Sequence, residues 1–218
     1  MSQFAVIGLG RFGSAVAKKL AENGCQVLVM DRDHKTVQAF RDIATAAYIG
    51  DATDRKALES LGLKQVDAVI LCLGERMEAS ILAALYLREM GVKEVWAKAA
   101  SEDHAKVLST LGVSKTVLPE RDTAHRLASQ LSFPNMLDYL PLHPDYSIMQ
   151  VTCPPDLTGK SLRDLNLRAK YGIQVLAVQE YVPQRITIAP DGGFVVKDSD
   201  VLIVLGRNED IEKLTRMT

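Results

Sequence analysis

The sequence has little net charge, few cysteines and no long apolar run, and each of these absences excludes a class of protein. Its 218 residues carry a formal net charge of −1. The chain therefore lacks the basic field that nucleic-acid binding needs and the polybasic cluster that attracts an anionic membrane surface. We expect no nucleic-acid partner and no direct membrane insertion, so any membrane association should run through a protein partner.

The apolar runs and the cysteines point to a cytoplasmic globular protein. The longest apolar stretches, such as Val66–Leu73 and Val201–Leu205, are far shorter than the roughly 20 residues that cross a bilayer. Cys25, Cys72 and Cys153 are scattered and odd in number, which favours reduced thiols over disulfides or metal ligands. Apolar residues make up 47% of the chain, enough for a substantial core.

What the sequence does contain is a regular alternation of short apolar runs with amphipathic segments. The predicted strands are Phe4–Ile7, Gln26–Met30, Ala46–Ile49, Val66–Leu73, Glu94–Lys98 and Lys115–Leu118. The predicted helices between them are Ser14–Asn23, His34–Arg41, Arg55–Leu61, Ala79–Met90 and Glu102–Leu111. The runs are mostly continuous, as in parallel strands buried on both faces. Six such βα units predict an α/β fold with a doubly wound, Rossmann-like parallel sheet.

The pattern changes after residue 120. One more helix is predicted at Arg121–Ser132, and three prolines, Pro134, Pro141 and Pro144, then indicate a crossover and linker. A smaller α+β domain follows, with strands at Ser147–Cys153, Ile173–Val178, Ile186–Ile188, Phe194–Lys197 and Val201–Leu205 and helices at Ser161–Leu165 and Glu209–Met217. The predicted organisation is a nucleotide-binding domain at 1–133, a linker at 134–141 and a C-terminal domain at 142–218.

The strongest motif is the segment Gly8-Leu9-Gly10-Arg11-Phe12-Gly13, which follows the first strand and opens a helix. In that position Gly8 makes the tight turn, Gly10 lets the backbone approach a pyrophosphate, and Gly13 allows close packing of helix and strand. The helix N-terminus then offers N–H groups and a partial positive charge to phosphates. The alternative is a glycine-rich turn without a ligand.

The second strand leads into Asp31, which lies 18 residues after Gly13. This is close to the spacing of roughly 20 residues expected for the acid that bonds ribose hydroxyls. A carboxylate there repels a 2′-phosphate and so disfavours NADP, whereas the neighbouring Arg32 keeps a 2′-phosphate open as an alternative. Asp31 could instead cap the next helix, although Asp33 is better placed for that role.

Further candidate binding residues follow the third and fourth strands. Asp51 and Ala52 are predicted to flank an adenine ring, with Asp51 accepting from its amino group, while Thr53 or Asp54 caps the next helix. Gly74 belongs to a small turn at the same edge of the sheet, where open α/β sheets bind ligands.

Three charged residues are candidates for contacts with the phosphates. Arg11 could reach a terminal phosphate of its own or a neighbouring subunit, or it could be a solvated first-turn arginine. Lys98 ends the fifth strand and points to the ligand edge. Glu120, just after the sixth strand, could hold a divalent ion such as Mg²⁺ or Ca²⁺ bound to phosphates, or simply pair with a helix dipole.

No catalytic constellation is recognisable in the sequence. The four histidines lie in helical or linker contexts, and no Ser/His/Asp set, Cys/His pair or metal-ligand cluster is apparent. A hydride-transfer enzyme needs a general acid or base close to its substrate. A nucleotide site without such chemistry predicts a sensor rather than an enzyme.

The chain resembles the RCK (KTN) regulatory subunits of bacterial potassium uptake systems, of the KtrA and TrkA type. The resemblance rests on the segment Phe4–Gly13, on Pro119–Asp122, on Asp145–Ile148 and on Asp164–Gly172, and it extends over essentially the whole chain. It implies a Rossmann lobe, a crossover segment exchanged within a dimer, and a smaller C-terminal lobe. It also implies a homo-oligomer, from a dimer to an octameric ring, on the cytoplasmic face of an integral-membrane potassium-transporting subunit.

The resemblance assigns roles to individual residues. The three glycines would hold the phosphates of ATP or ADP, Asp31 the ribose, Arg11 the terminal phosphate across subunits, and Glu120 a cation there. ATP would favour the active state and ADP the inactive state, whereas NAD(H) is the ligand linked to TrkA-type members.

The resemblance also implies a cyclic di-AMP site in the C-terminal lobe. The matching residues are Leu162, Arg168, Ala169 and Ile173. Arg163 departs from the aliphatic pair found at this position in the family, which counts against binding of cyclic di-AMP.

Three rival interpretations stay open from the sequence. An NAD-dependent oxidoreductase would require a catalytic group that is not recognisable. A sensor with another partner, such as a cation/proton antiporter or an ion channel, is compatible with every motif described above. A purely structural assembly protein is disfavoured by the intact phosphate loop and Asp31.

Overall fold

The computed structural model describes residues 2–132 and 135–216. Two compact units divide the chain, Met1–Pro119 and Glu120–Thr218. The domain boundary predicted between 133 and 134 lies outside the described residues. Among the helices of the described residues, none is both long enough and apolar enough to cross a membrane.

The first unit is built on a six-stranded parallel sheet with the strand order β3-β2-β1-β4-β5-β6. The strands are β1 Gln3–Ile7, β2 Gln26–Asp31, β3 Ala46–Ile49, β4 Ala68–Leu71, β5 Val95–Lys98 and β6 Lys115–Val117. All five pairings between neighbouring strands are parallel. The order reverses beside β1, so the carboxyl ends of β1 and β4 flank the crevice in which such sheets bind ligands. The doubly wound parallel sheet predicted from the sequence is confirmed.

Five helices cover this sheet: α1 Arg11–Glu22, α2 His34–Gln38, α3 Arg55–Glu59, α4 Met77–Glu89 and α5 Glu102–Thr110. Three of them begin at side-chain caps, since Asp33, Asp54 and Ser101 accept hydrogen bonds from N–H groups of the first turn. The central strands are apolar on both faces, and Val6, Val69 and their neighbours are almost completely buried.

The second unit opens with helix α6 and continues into a five-stranded sheet of order β10-β9-β11-β8-β7, in which all neighbours are antiparallel. Its elements are α6 Pro119–Ser132, β7 Met136–His143, β8 Tyr146–Thr152, α7 Leu162–Leu165, α8 Leu167–Tyr171, β9 Gln174–Tyr181, β10 Gln184–Ile188, β11 Val201–Arg207 and α9 Asn208–Thr215. Val151, Leu202 and Val204 lie at the centre of its core. The predicted smaller α+β domain is confirmed, and Met217, the predicted end of the last helix, lies outside the described residues.

Three features of the second unit differ from the sequence-based predictions. The predicted linker overlaps β7 at residues 136–141. This strand tolerates Pro141 because it is an edge strand whose pairing shifts register there. The strand predicted at Phe194–Lys197 is instead an isolated bridge between Val195 and Ser161. Backbone hydrogen bonds join residues 159–162 to residues 194–196, and the pairing stays this short because the partner segment turns into α7 directly after Ser161. Helix α8 was not predicted.

A buried carboxylate joins two strands and a loop of the second unit. Glu180 of β9 is only 1% exposed and accepts hydrogen bonds from Arg185 of β10 and from Lys197. These two hydrogen bonds, Arg185 first, lower the pKa of Glu180 from its ordinary value of 4.5 to about 2.

The depressed pKa of Glu180 predicts acid sensitivity of the second unit. A carboxyl group whose pKa is lowered by folding stabilises the fold at every pH above its pKa in the unfolded state. That contribution is lost as the pH falls from about 4.5 towards 2. We expect Glu180→Gln to lower the urea midpoint at pH 7, and the midpoints of variant and wild type to converge in this acid window. Glu209→Gln, at an exposed acid of α9, is the control. A midpoint difference that is constant with pH would contradict the assignment.

Candidate functional site

The predicted binding residues of the first unit follow the carboxyl ends of parallel strands. The loops after β1, β2, β3, β4 and β5 begin at Gly8, Arg32, Gly50, Cys72 and Ala99. Because carboxyl ends of parallel strands meet at one edge of a sheet, these loops share one crevice. The chemistry of this edge decides what the unit can bind.

The glycine loop is shaped by two close backbone approaches. Gly8 has a positive φ of 94°, and a Cβ placed on it would lie 2.7 Å from the carbonyl oxygen of Cys72. A Cβ on Gly13 would lie 1.9 Å from the carbonyl oxygen of Gly8. Neither position tolerates a side chain without backbone movement, as the sequence pattern predicted.

Gly10 differs from these two glycines because no packing contact requires it. A Cβ on Gly10 would meet no atom within 4 Å, and its φ of −62° suits any residue. Gly10 is nevertheless the N-cap of α1 and has no side chain that could accept from the N–H groups of the first turn. No acidic residue lies in that turn. The bare helix end therefore fits a bound anion such as a phosphate.

Asp31 connects the glycine loop to the end of β2. Its Oδ2 accepts from the backbone N–H of Leu9 at 2.6 Å, and its Oδ1 accepts from the N–H of Asp33 at 2.9 Å. These bonds fix the carboxylate beside the glycine loop, and each oxygen keeps a further lone pair that could accept from a hydroxyl such as that of a ribose. Asp33 itself caps α2, so the two acids have separate roles.

The carboxylate of Asp51 is fixed mainly by Thr53, two residues further along the chain. Its Oδ1 accepts from the N–H and from the hydroxyl of Thr53, each at 2.9 Å, and Oδ2 lies 3.4 Å from Nη2 of Arg76. The N–H of Thr53, its hydroxyl and the Arg76 guanidinium lower the pKa of Asp51, so it is an ionised acceptor. Asp54 rather than Thr53 caps α3, and Ala52 is buried in the core.

Lys98 reaches from the end of β5 towards the glycine loop. Its side chain packs 3.2 Å from the position that a Cβ on Gly74 would occupy, and its Nζ lies 6.0 Å from the centre of the Phe12 ring. The cation and the loop therefore lie side by side at the ligand edge. Cys72 lies beneath the loop, where burial raises the pKa of its thiol to about 12 and keeps it a neutral thiol.

Two arginines of the first unit are exposed near this edge. Arg11 is the first residue of α1, and Arg32 directly follows Asp31. Glu120 is an exposed residue in the first turn of α6 and belongs to the second unit. Its metal role stays a prediction. Across residues 2–132 and 135–216, no group of three His, Cys, Asp or Glu side chains is arranged to hold a metal ion.

The second unit contains a cavity of about 300 Å³ at the cyclic di-AMP residues suggested by the resemblance. Its lining includes Leu162, Arg163, Asn166, Leu167, Arg168, Ile173, Gln174, Val175, Pro190 and Gly192. Three of the four predicted residues line this cavity, and Ala169 is exposed directly after Arg168. The side chain of Arg163 packs against Gly192, so the residue that departs from the family pattern is part of the cavity wall.

Arg76 was not among the predicted site residues, yet it is the N-cap of α4 and the ion-pair partner of Asp51. Its position two residues after Gly74, just past the end of β4, was the available signal. A cation at the carboxyl end of a parallel strand lies at the ligand edge, as Lys98 does. The pairing itself joins loops 25 residues apart and has no signature in the sequence.

The strand order, the glycine loop and the anchored Asp31 define a Rossmann-type nucleotide-binding lobe, which a small α+β domain follows. Family models of the TrkA-N domain and the TrkA-C domain match residues 4–119 and 148–218. The chain is 42% identical to the Ktr system potassium uptake protein C of Bacillus subtilis, over 98% of this chain and 96% of that protein. It is 37% identical to protein A of the same system and organism, over 97% and 94% of the two chains.

The chain therefore belongs to the TrkA-N/TrkA-C family that includes the Ktr system potassium uptake proteins, and the resemblance to RCK regulatory subunits is confirmed.

Solved structures agree on the fold. The GsuK RCK domain superposes with a TM-score of 0.68 at 17% identity and covers all of this chain, which spans about half (48%) of the GsuK chain. The C-terminal domain of Shewanella denitrificans Kef in an AMP-bound form superposes with a TM-score of 0.52 at 20% identity, over 60% of this chain and 82% of that chain. These similarities identify the RCK architecture.

Proposed function

We propose that this chain is a nucleotide-sensing regulatory subunit that gates an integral-membrane potassium transporter or channel. The observation that carries the proposal is the arrangement around Gly10, where a bare helix N-terminus lies beside the carboxylate of Asp31, which two backbone N–H groups hold in place. Phosphates would lie against the N–H groups of α1, and the ribose hydroxyls would donate to Asp31. Membership of a potassium uptake family supports the choice of partner.

ATP and ADP are the ligands that we propose for this site. They differ by one phosphate, so a switch between them must use groups that respond to that charge. Arg11 at the start of α1 would contact the terminal phosphate, from the same or a facing subunit, and Glu120 would support a divalent ion there. Lys98 and Gly74 would border the phosphate end of the site. NAD(H) shares the adenosine end and is the alternative ligand.

Arg11→Ala should abolish the difference between the effects of ATP and ADP on the membrane partner. The adenosine contacts stay in place, so both nucleotides should still bind, with the ATP affinity reduced to that of ADP. A charge-assisted contact to phosphate is worth about 1.5–3 kcal/mol, so the ATP preference should fall about tenfold or more. Lys19→Ala, at an exposed lysine of the same helix, is the matched control. An unchanged ATP/ADP difference would contradict the role of Arg11.

The partner would be an integral-membrane potassium-transporting subunit, with copies of this chain assembled as a dimer or an octameric ring at the inner face of the cell membrane. The test is potassium uptake by a transport-deficient bacterium that expresses a Ktr-type membrane subunit with or without this chain. We expect uptake that depends on the chain and that is lost in its Asp31→Asn variant. Equal uptake with and without the chain would reject this partner.

A second ligand is proposed for the cavity of the second unit. Arg168 offers a charged fork for a phosphate, and Leu162 and Ile173 offer apolar surface for a base, which together suit cyclic di-AMP. Arg163 in the cavity wall either adds a second phosphate contact or blocks the base. Binding of cyclic di-AMP measured for wild type and for Arg163→Ile distinguishes these two effects.

The oxidoreductase alternative receives little support from the side chains at the ligand edge. The first unit's buried histidine, His104, accepts from the N–H of Ala100, and burial lowers the pKa of its imidazole. It is therefore neutral and held within the helix packing. We propose a binding role rather than hydride transfer, and turnover of NAD⁺ with hydroxy acids would reject that proposal.

A further inference from the structure

The ion pair between Asp51 and Arg76 crosses the ligand crevice. Asp51 follows β3 and Arg76 follows β4, and these strands are separated in the sheet by β2 and β1. Three strand spacings of about 4.8 Å place the two strand ends about 14 Å apart. The side chains nevertheless approach to 3.4 Å, so together they extend over the carboxyl ends of the two strands that carry the glycine loop and Asp31.

Backbone hydrogen bonds hold the two loops that carry Arg76 and Asp51. The N–H of Arg76 donates to the carbonyl of Leu73 at 2.8 Å, and the carbonyl of Arg76 accepts from Ser80 at 2.9 Å. The carbonyl of Asp51 accepts from the N–H of Asp54 at 3.0 Å, and Thr53 holds its Oδ1. Both residues of the pair therefore lie in loops that backbone hydrogen bonds hold in place.

Fold stability does not explain this pair. Both side chains are 38% exposed, and exposed ion pairs contribute little to stability. What the pair does supply is an acceptor, the carboxylate of Asp51, beside a donor, the guanidinium of Arg76. That order of groups is complementary to one edge of adenine, which presents the N6 amino donor next to the N7 acceptor. Guanine presents two acceptors, O6 and N7, on the same edge and would place O6 against the carboxylate.

We propose that Arg76 and Asp51 together read this edge of the adenine base, with Asp51 accepting from N6 and Arg76 donating to N7. The inference rests on the proposed nucleotide site and makes Arg76 a specificity-determining residue of that site. The site should therefore discriminate adenine from guanine nucleotides, and Arg76 should contribute the part of that discrimination that depends on N7.

The test compares ATP with 7-deaza-ATP, which lacks only the N7 acceptor, by calorimetric titration of wild type and Arg76→Met. We expect wild type to bind 7-deaza-ATP about tenfold more weakly than ATP, the loss of one charge-assisted hydrogen bond. Arg76→Met should bind both with the affinity that wild type has for 7-deaza-ATP. Arg88→Met, at an exposed arginine near the far end of α4, should behave as wild type.

The outcomes separate the inference from the proposed function. Equal binding of ATP and 7-deaza-ATP by wild type would overturn the role of Arg76 and leave the nucleotide site intact. Tighter ATP binding by Arg76→Met would also overturn it, since Arg76 would then be a competitor for Asp51. Wild type that binds neither nucleotide would refute the proposed function itself. Thermal unfolding of each variant checks that its fold is retained.

Discussion

Gly13→Ala should abolish nucleotide binding and destabilise the first unit, whereas Gly10→Ala should weaken binding alone. The Cβ at residue 13 would lie 1.9 Å from the carbonyl oxygen of Gly8, which is backbone and cannot rotate away. Forcing atoms into a packed site costs about 1–3 kcal/mol, and we expect the upper end of that range here. The displaced loop would no longer present the N-terminus of α1 to a phosphate.

Gly10→Ala is the matched control because the same methyl group is added three residues earlier. No atom lies within 4 Å of that Cβ, and alanine readily adopts the local backbone conformation. The free energy of unfolding should therefore stay within about 0.5 kcal/mol of wild type. The methyl would occupy the space through which a phosphate approaches the helix end, so the affinity for ATP and ADP should fall at least about tenfold, or about 1.4 kcal/mol. Wild-type affinity in Gly10→Ala would contradict a phosphate at this loop.

Asp31→Asn should lower the affinity for nucleotides nearly as much as Gly13→Ala does, with a smaller effect on the free energy of unfolding. The carboxylate accepts from Leu9 and Asp33 through different oxygens, whereas an asparagine has one oxygen and would turn its NH₂ group towards one of the two N–H donors. Ribose hydroxyls would also lose a charged acceptor. Hydrogen bonds to charged groups are worth about 1.5–3 kcal/mol each, so the affinity for ATP and ADP should fall about 10- to 100-fold.

The control for Asp31→Asn is Asp33→Asn. Asp33 is an acid two residues away that caps α2, and asparagine is an equally good cap. Its variant should bind nucleotides as wild type does. Calorimetric affinities of the two variants, with thermal unfolding measured in parallel, decide the matter. A loss of affinity in both variants would mean that loop distortion, not ribose recognition, causes the effect.

The first unit could be predicted well because its apolar runs, its helix caps and its glycine spacing all indicate the same fold. Most strands of the sheet are continuous apolar runs, and acids or serine directly precede three of its helices. The glycine spacing then located the loop, because only a strand–turn–helix requires glycine at positions 8 and 13 for close backbone contacts.

The second unit was harder to predict, for reasons visible at its edges. Pro141 indicates a chain break, yet an edge strand needs only half of its backbone groups for pairing and accommodates it in β7. The segment Phe194–Lys197 contains a short apolar run typical of a strand, but its partner turns into α7 after Ser161. Helix α8 spans only Leu167–Tyr171, and one turn of helix carries no periodic pattern.

The positions of the loop glycines, of Asp31 and of Asp51 at the strand ends could be predicted from the sequence, whereas the contacts between these side chains could not. Asp31 was assigned by its distance from the glycine loop, but its hydrogen bond to Leu9 depends on the turn of the folded loop. Arg76 and Asp51 meet only because the sheet order brings β3 and β4 onto the two sides of one crevice. The cavity around Arg168 likewise depends on the fold, since Pro190 and Gly192 enter it from a distant turn.

We propose that this site binds ATP and ADP as a regulatory signal. Calorimetric titration of the purified chain with ATP, ADP, NAD⁺ and NADH, with and without Mg²⁺ or Ca²⁺, tests it most directly. We expect tight binding of ATP and ADP, with the ATP affinity raised by the divalent ion, and weaker binding of NAD⁺ and NADH. A strong preference for NAD⁺ or NADH with weak ATP binding would contradict it and make the dinucleotide the signal.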